Sequence, residues 1–410
     1  MKNQIVILAA GDSSRFYPFN GVHKSLFQIA GKPLLKHTLD NVGKLKDFEI
    51  ILVLSRKNQK VEREILENMS IGNGVRIIYQ KNSLGQGDGI LTAKELIKEN
   101  FFVINAQQFN FNSQKYFLGL QRTQNIYSAV VGALTTEEPW KYGVLKLDKD
   151  KVLGIVEKPE RGKEPSNVRI SGIYYFSKEF LSELEKTNIS EYSLEDTLNR
   201  LAGFGKVGKV DLDQETPSLK YPWDLLKVKN YFLGDLKRNI YEKSQISSSA
   251  TIRGDVYIGK GAMVYDYAVI DGPAYIGDDA VIGSYCHIRG GSVIEKNAEL
   301  QHYVDFKNSV IGEHSTIHSG FIGDSIIGKN VKIGAGFITA NKRLDRENVR
   351  VFVKGVKVDS NLRGLGLIIG DNTKLGICVT AMPGTVVGEN STVYPNAKLS
   401  GTYQNNQKIK

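Results

Sequence analysis

From Ile246 to Leu300 every sixth residue is aliphatic: Ile246, Ile252, Ile258, Val264, Ile270, Ile276, Ile282, Ile288, Ile294 and Leu300. The period then slips and resumes, at Ile311 and Ile317, at Ile327 and Ile333, and from Ile369 through Leu375, Ala381, Val387 and Val393 to Leu399. Glycine often follows the aliphatic residue, as in Ile258-Gly259, Ile276-Gly277, Ile282-Gly283 and Ile369-Gly370. A period of six fits neither the 3.6 of a helix nor the 2 of a simple strand. It predicts a coil with three flat sides, each side a short strand and a turn, with one aliphatic residue per side pointing into a narrow prism. The Gly, Asn and Asp residues that follow supply the corner conformations.

The chain before this repeat is patterned differently. Apolar runs at Ile5–Ala9, Ile50–Leu54, Val75–Tyr79 and Phe101–Ile104 suit buried parallel strands. Helical stretches fall between them, near Pro33–Val42, Glu62–Met69 and Gly89–Ile97. Strand and helix in alternation predict a doubly wound α/β sheet with its site at the C-terminal ends of the strands. The charged stretch Gly234–Lys243 links the two patterns. The expected domains are residues 1–238 and 239–410.

The 410 residues are ample for two cores. No run approaches the length of a membrane span, and Ile5-Val6-Ile7-Leu8 begins a strand without a signal-peptide layout. The two cysteines, Cys286 and Cys378, both lie in the repeat and are expected as small core residues, not as a disulfide framework. These features point to the cytoplasm. The net charge of +10 comes without a basic cluster or basic–aromatic interleaving. It therefore argues for a Lys-rich surface and anionic substrates, and against nucleic acid.

The first strand runs into Leu8-Ala9-Ala10-Gly11-Asp12-Ser13-Ser14-Arg15, with Lys24 and Gly31-Lys32-Pro33 beyond. A small-residue loop after a strand offers backbone N–H groups to phosphate, and Arg15 and Lys24 add positive charge. These residues resemble the signature of the sugar-1-phosphate nucleotidyltransferases. Further elements of that family follow in order. Gln80 and Leu84-Gly85-Gln86-Gly87 resemble its base-recognition segment, and Tyr142-Gly143 its sugar-contacting loop. Glu157-Lys158-Pro159 resembles its Glu-Lys-Pro motif, whose Glu holds sugar hydroxyls and whose Lys neutralises phosphate. Ser166-Asn167 and Gly172-Ile173-Tyr174 resemble the next sugar-binding strand. Glu191 and Asp196 sit where the family has a Glu-x-x-Leu-Thr-Asp-like helix start, and Trp223-Asp224-Leu225-Leu226 resembles the helix leading to the second domain. The resemblance implies nucleotide contacts at Ala9, Ala10, Gly11, Arg15, Lys24, Gln80 and Gly85. It implies sugar contacts at Gly143, Glu157, Lys158, Asn167 and Gly172.

The catalytic carboxylates of that family are missing. Its Mg²⁺ is held by an Asp at the end of the fourth strand and by a second Asp four residues before a late Pro. Here those positions are Gln107 and Ser218. The loop's second glycine is replaced by Ser13. A neutral amide cannot cancel the charge of Mg²⁺, and losing both carboxylates should cost the metal site on the order of several kcal/mol. A weakened Mg²⁺ site is expected, and nucleotidyl transfer is in doubt. Asp224 reads as a structural helix residue.

In the repeat, Val304-Asp305-Phe306-Lys307-Asn308-Ser309, Ile317-His318-Ser319-Gly320-Phe321-Ile322-Gly323-Asp324 and Gly334-Ala335-Gly336 through Asn341 resemble the acetyltransferase half of the archaeal bifunctional uridyltransferase–acetyltransferases. With the first domain, the resemblance spans nearly the whole chain. It implies a left-handed β-helix, acetyl-CoA as acyl donor and a homotrimer with acyl-CoA between adjacent prisms. His318 suits a base that removes an ammonium proton as the amine attacks a thioester, because its ordinary pKa is near neutrality. Arg289 and Lys307 would clamp the substrate phosphate, and Asn341 would contact sugar or acetyl oxygen. Phe321 replaces the family's Tyr and removes one hydroxyl. Residues 342–366 interrupt the repeat as a basic loop whose Lys354 and Lys357 are candidates for acetyl-CoA phosphates.

The sequence favours an N-acetyltransferase of hexosamine 1-phosphate, fused to a nucleotidyltransferase-like domain that binds nucleotide or sugar nucleotide and is weak or inactive in transfer. A fully bifunctional enzyme with other metal ligands is the first alternative. A non-catalytic regulatory or scaffold subunit is the second.

Overall fold

The computed structural model describes all residues except 1–2, 46–47, 57–58, 70–73, 110–118, 120–125, 214–215 and 218. Contacts divide the chain into two units: residues 1–12 with 33–216, and residues 13–32 with 217–410. Among the described residues no helix is long and apolar enough to cross a membrane.

The first unit is a nine-stranded mixed sheet flanked by helices. Its elements are β1 Asn3–Ala9, α1 Leu34–Gly43, β2 Phe48–Ser55, α2 Gln59–Asn68, β3 Val75–Gln80, α3 Gly85–Thr92, β4 Phe101–Asn105, β5 Ala129–Thr135, β6 Gly143–Asp148, β7 Lys151–Glu157, β8 Val168–Phe176, α4 Lys178–Glu185, α5 Ser193–Gly203 and β9 Val207–Asp211. The strand order is β3-β2-β1-β4-β8-β5-β9-β7-β6. Pairing is parallel through β3, β2, β1 and β4, where helices cross between strands. It turns antiparallel at β8. The expectation of a doubly wound sheet therefore holds for the first half only. Residues 129–176 run strand after strand with no crossover helix, and such strands pair antiparallel. The third helix also starts four residues before its expected position, at Gly85.

The second unit is a triangular parallel β-helix of three sheets, with nine, nine and eight strands. Its core is the expected row: Ile258, Val264, Ile270, Ile276, Ile282, Ile288, Ile294 and Leu300 are buried in one cluster, with Ile246 and Ile252 packed against it. Ile258 pairs with Ile276, one coil of three six-residue sides later. Corners are left-handed, at Asp279, Asn297, Asn330, Asn372 and Asn390 among others. Residues 342–366 leave the prism as an excursion containing the antiparallel hairpin Arg350–Val353 and Val356–Asp359, and Ile327 pairs across it with Ile369.

Two further segments pack within this unit. Helix α6, Leu225–Gly234, follows a 3₁₀ turn at Pro222–Asp224. Asp224 accepts the backbone N–H groups of Lys220 at 2.7 Å and Tyr221 at 2.8 Å, so it is the structural residue anticipated. Segment 13–32 lies on the prism: Tyr17 Oη donates to the Tyr403 carbonyl at 2.7 Å, and Gln28 Nε2 donates to Glu295 at 3.2 Å and Glu313 at 2.9 Å. Tyr267, Tyr285 and Tyr303 stack on one corner of successive coils, with ring centroids 5.2 Å apart. Cys286 is buried in the core, and burial pushes its thiol up to about 11. Cys378 corrects the expectation: it is an exposed corner residue with φ +55°.

Candidate active sites

In the first unit β1 delivers Ala9 and Ala10 buried and Gly11 exposed at its C-terminal end. Ser83 Oγ donates to the Ala10 carbonyl at 2.6 Å. Gln80, the last residue of β3, is buried and donates to Asp88 Oδ2 at 2.6 Å. Gly85 has φ +93°, and a Cβ there would stand 2.6 Å from the Glu191 carbonyl oxygen. Only glycine lets this turn close against the chain before α5.

On the sugar side, Gly143 pairs with Glu157 across β6 and β7, and a Cβ on Gly143 would lie 2.8 Å from Glu157 Oε2. Lys158 Nζ is 2.9 Å from Glu157 Oε1. These three expected residues come together. Gly172, φ +85°, instead faces Asn105, whose Nδ2 would be 2.5 Å from a Cβ there. Asn167 lines a shallow cleft with Thr136 and Trp140. Sequence reasoning missed Glu195, in the first turn of α5. Burial, with Glu157 contributing, pushes its carboxyl up to about 7. The available signal was a charged residue where the family pattern has Thr.

Arg15 and Lys24 belong by their contacts to the second unit. Ser13 takes the left-handed conformation, φ +50°, and its hydroxyl accepts the Lys24 N–H at 2.9 Å. Burial first, and then neighbouring Arg15, lower the Lys24 ammonium to about 8.

Gln107 lies half-buried just past β4, as the sequence placed it, and Ser218 lies outside the described residues. Gln108 is fully engaged: its Nε2 donates to the Ser171 carbonyl, and its Oε1 accepts from Thr216 at 2.6 Å. The side chains at this strand end are the amides Asn105, Gln107 and Gln108. Among the described residues no three His, Cys, Asp or Glu side chains gather. A neutral amide set does not fit a carboxylate-held Mg²⁺.

In the second unit, the pairing of Ile288 with Phe306 sets Arg289 and Lys307 one coil apart on the same face. The Arg289 guanidinium binds the Asp305 carboxylate, and its buried Nε has no acceptor among the described residues. Lys307 Nζ is 4.0 Å from Asp324 Oδ2, and Asn341 Nδ2 donates to the same oxygen. A Cβ on Gly323 would meet Phe321 Cζ at 2.9 Å and Asn341 Nδ2 at 3.0 Å. Lys307, Phe321 and Asn341 therefore surround Gly323 and Asp324. His318 stands exposed at the preceding corner, its backbone N–H donating to the Ile333 carbonyl at 3.0 Å. Lys354, expected to meet acetyl-CoA, donates to Ser14 Oγ at 2.8 Å, and Lys357 lies 5.7 Å from the Phe352 ring. Lys229, Asn308 and Asp324 were not singled out as site residues.

The sheet and its strand-end loops define a nucleotidyltransferase, and the nucleotidyl transferase family model matches residues 4–213. The chain is similar to the bifunctional protein GlmU of Methanococcus maripaludis strain C7, 38% identical over 98% of this chain and 95% of that one. It is also similar to the bifunctional sugar-1-phosphate nucleotidylyltransferase/acetyltransferase of Sulfurisphaera tokodaii, 32% identical over 96% of each. A solved UDP-glucose pyrophosphorylase aligns with TM-score 0.49 at 20% identity, over 57% of this chain and 99% of that one. The chain belongs to the family of bifunctional sugar-1-phosphate nucleotidyltransferase/acetyltransferases, and it is a transferase.

Proposed function

We propose that the β-helix, residues 239–410, transfers an acetyl group from acetyl-CoA to the amine of a hexosamine 1-phosphate. The first domain, residues 1–238, would join a sugar 1-phosphate to a nucleoside triphosphate. The observation that carries the first half is the stacking of Arg289 and Lys307 on adjacent coils, beside Phe321 and Asn341. Two cations on one face suit a phosphate monoester. His318 would take the ammonium proton, which makes the amine a nucleophile toward the thioester. The names carried by full-length relatives support both activities in one chain. A second reading is favoured by Gln107: nucleotide binding survives, with slow nucleotidyl transfer and little dependence on Mg²⁺. Acetyl-CoA and nucleoside triphosphates as substrates favour the cytoplasm.

Purified protein with glucosamine 1-phosphate and acetyl-CoA should release free thiol. No release would overturn the acetyl-transfer reading. Pyrophosphate release with UTP and N-acetylglucosamine 1-phosphate decides between the two readings of the first domain. The family layout also favours a homotrimer. Sedimentation equilibrium should then give three times the 45.6 kDa chain mass, and a monomer mass would overturn it.

A further inference from the structure

Lys229 has no exposed surface. It sits on the apolar stripe of α6, spaced four residues from both Leu225 and Leu233. Burying an ammonium is costly, and a Leu or Met of similar volume would serve packing at least as well. Its Nζ donates to two amide oxygens, Asn230 Oδ1 at 2.7 Å and Asn308 Oδ1 at 2.6 Å. Asn308 uses its other end on a carboxylate, with Nδ2 donating to Asp324 Oδ1 at 2.6 Å. The second Asp324 oxygen takes Asn341 Nδ2 and faces Lys307 Nζ at 4.0 Å. The chain of hydrogen bonds thus runs from ammonium to amide to buried carboxylate, and ends on two residues of the proposed sugar-phosphate face.

The backbone leaves this chain little room to shift. A Cβ on Gly291, φ +82°, would stand 2.8 Å from Asn308 Oδ1 and 3.4 Å from Lys229 Nζ. One on Gly364 would stand 2.8 Å from Asp324 Oδ2. Burial lowers the Lys229 ammonium to about 7, against the pull of Asp324. In its charged form, its bond to Asn308 Oδ1 makes Nδ2–H a stronger donor to Asp324. Asp324 is then held at both oxygens, and it fixes where Asn341 and Lys307 point.

We propose that Lys229 is a positioning residue of the acetyl-transfer site, holding Lys307 and Asn341 toward the sugar phosphate through Asn308 and Asp324. The inference rests on the reading that this face of the prism acetylates a hexosamine 1-phosphate. The test is steady-state acetyl transfer by the full chain carrying Lys229→Met, followed as thiol release. The KM for glucosamine 1-phosphate should rise about 10- to 100-fold, as loss of positioning does, while the KM for acetyl-CoA stays put. A general packing defect would lower kcat with the folded fraction and leave the two KM values in step. If Lys229→Met does not fold, Asn308→Gly carries the same test, because Asn308 holds φ +46° and glycine accepts that conformation. An active wild type whose folded variant keeps both KM values overturns the inference alone. A wild type that releases no thiol overturns the reading beneath it as well.

Discussion

His318, proposed above as the base of acetyl transfer, stands exposed at a corner of the β-helix. Replacing it with Ala should lower kcat for thiol release about 100-fold or more, with the KM for acetyl-CoA largely kept. A decrease smaller than about fivefold would remove it from that role. Gln107 gives a second outcome, which tests the reading of nucleotide binding with slow transfer. Wild-type binding of UTP, titrated by calorimetry, should be nearly the same with Mg²⁺ and with EDTA. Gln107→Asp combined with Ser218→Asp should make binding Mg²⁺-dependent and raise pyrophosphate release. A strong Mg²⁺ requirement in the wild type would mean that other oxygens serve. Glu157, Lys158 and Gly143 were legible because a short motif fixes their strands and the strands fix the contact. Glu195 and Lys229 were not, because each meets its neighbours, Glu157 and Asn308, across a tertiary contact that no local spacing encodes. Lys229 did leave one trace, a cation on the apolar stripe Leu225–Lys229–Leu233.

At the scale of elements, segment 13–32 meets the prism at a buried acid. Glu295 Oε2 accepts the Gly31 N–H at 2.9 Å and Gln28 Nε2 at 3.2 Å. Glu313 and Tyr275 are the ionisable groups facing it. Burial, and then Glu313, raise its carboxyl from the usual 4.5 to about 7. The folded chain therefore binds a proton here that the unfolded chain has already lost between those two values. This contribution to stability is full below about 4.5 and is lost as pH rises through about 7. Glu295→Gln should melt higher than the wild type at about pH 8 and level with it near pH 4.5. A constant difference across that range would show that Glu295 does not titrate there. The prism itself was legible because one core residue per side repeats in register. Ile322 is a core residue that the six-residue count passed over, whereas Phe306, in step six residues after Leu300, was left out of the row because it is aromatic. Their coil closes in 16 residues, not 18, since two of its sides shorten to five. Once the corner length varies, a fixed period loses the row.

At the scale of the whole molecule, residues 13–32 and 217–238 group with the repeat. A fragment starting at residue 239 would lack the helix that carries Lys229, which a fragment starting at 217 keeps; both lack the arm over Glu295. It should melt several degrees below a fragment starting at 217, about 2–4 °C for each kcal/mol of packing energy removed. Equal melting temperatures would show that α6 adds nothing to the prism. Sequence reasoning drew a single boundary because composition changes once, near the start of the repeat. Composition cannot reveal an arm of ordinary polarity that leaves one unit, packs in another and returns.

The chain passes between the two units at 12/13, 32/33 and 216/217. In heredity this interleaving is a bond of its own. A single crossover joining the front of one such gene to the back of another pairs a foreign arm with a native prism, so Gln28 and Glu295 would come from different parents. Substitutions in the arm therefore have to be accepted by the repeat that receives it.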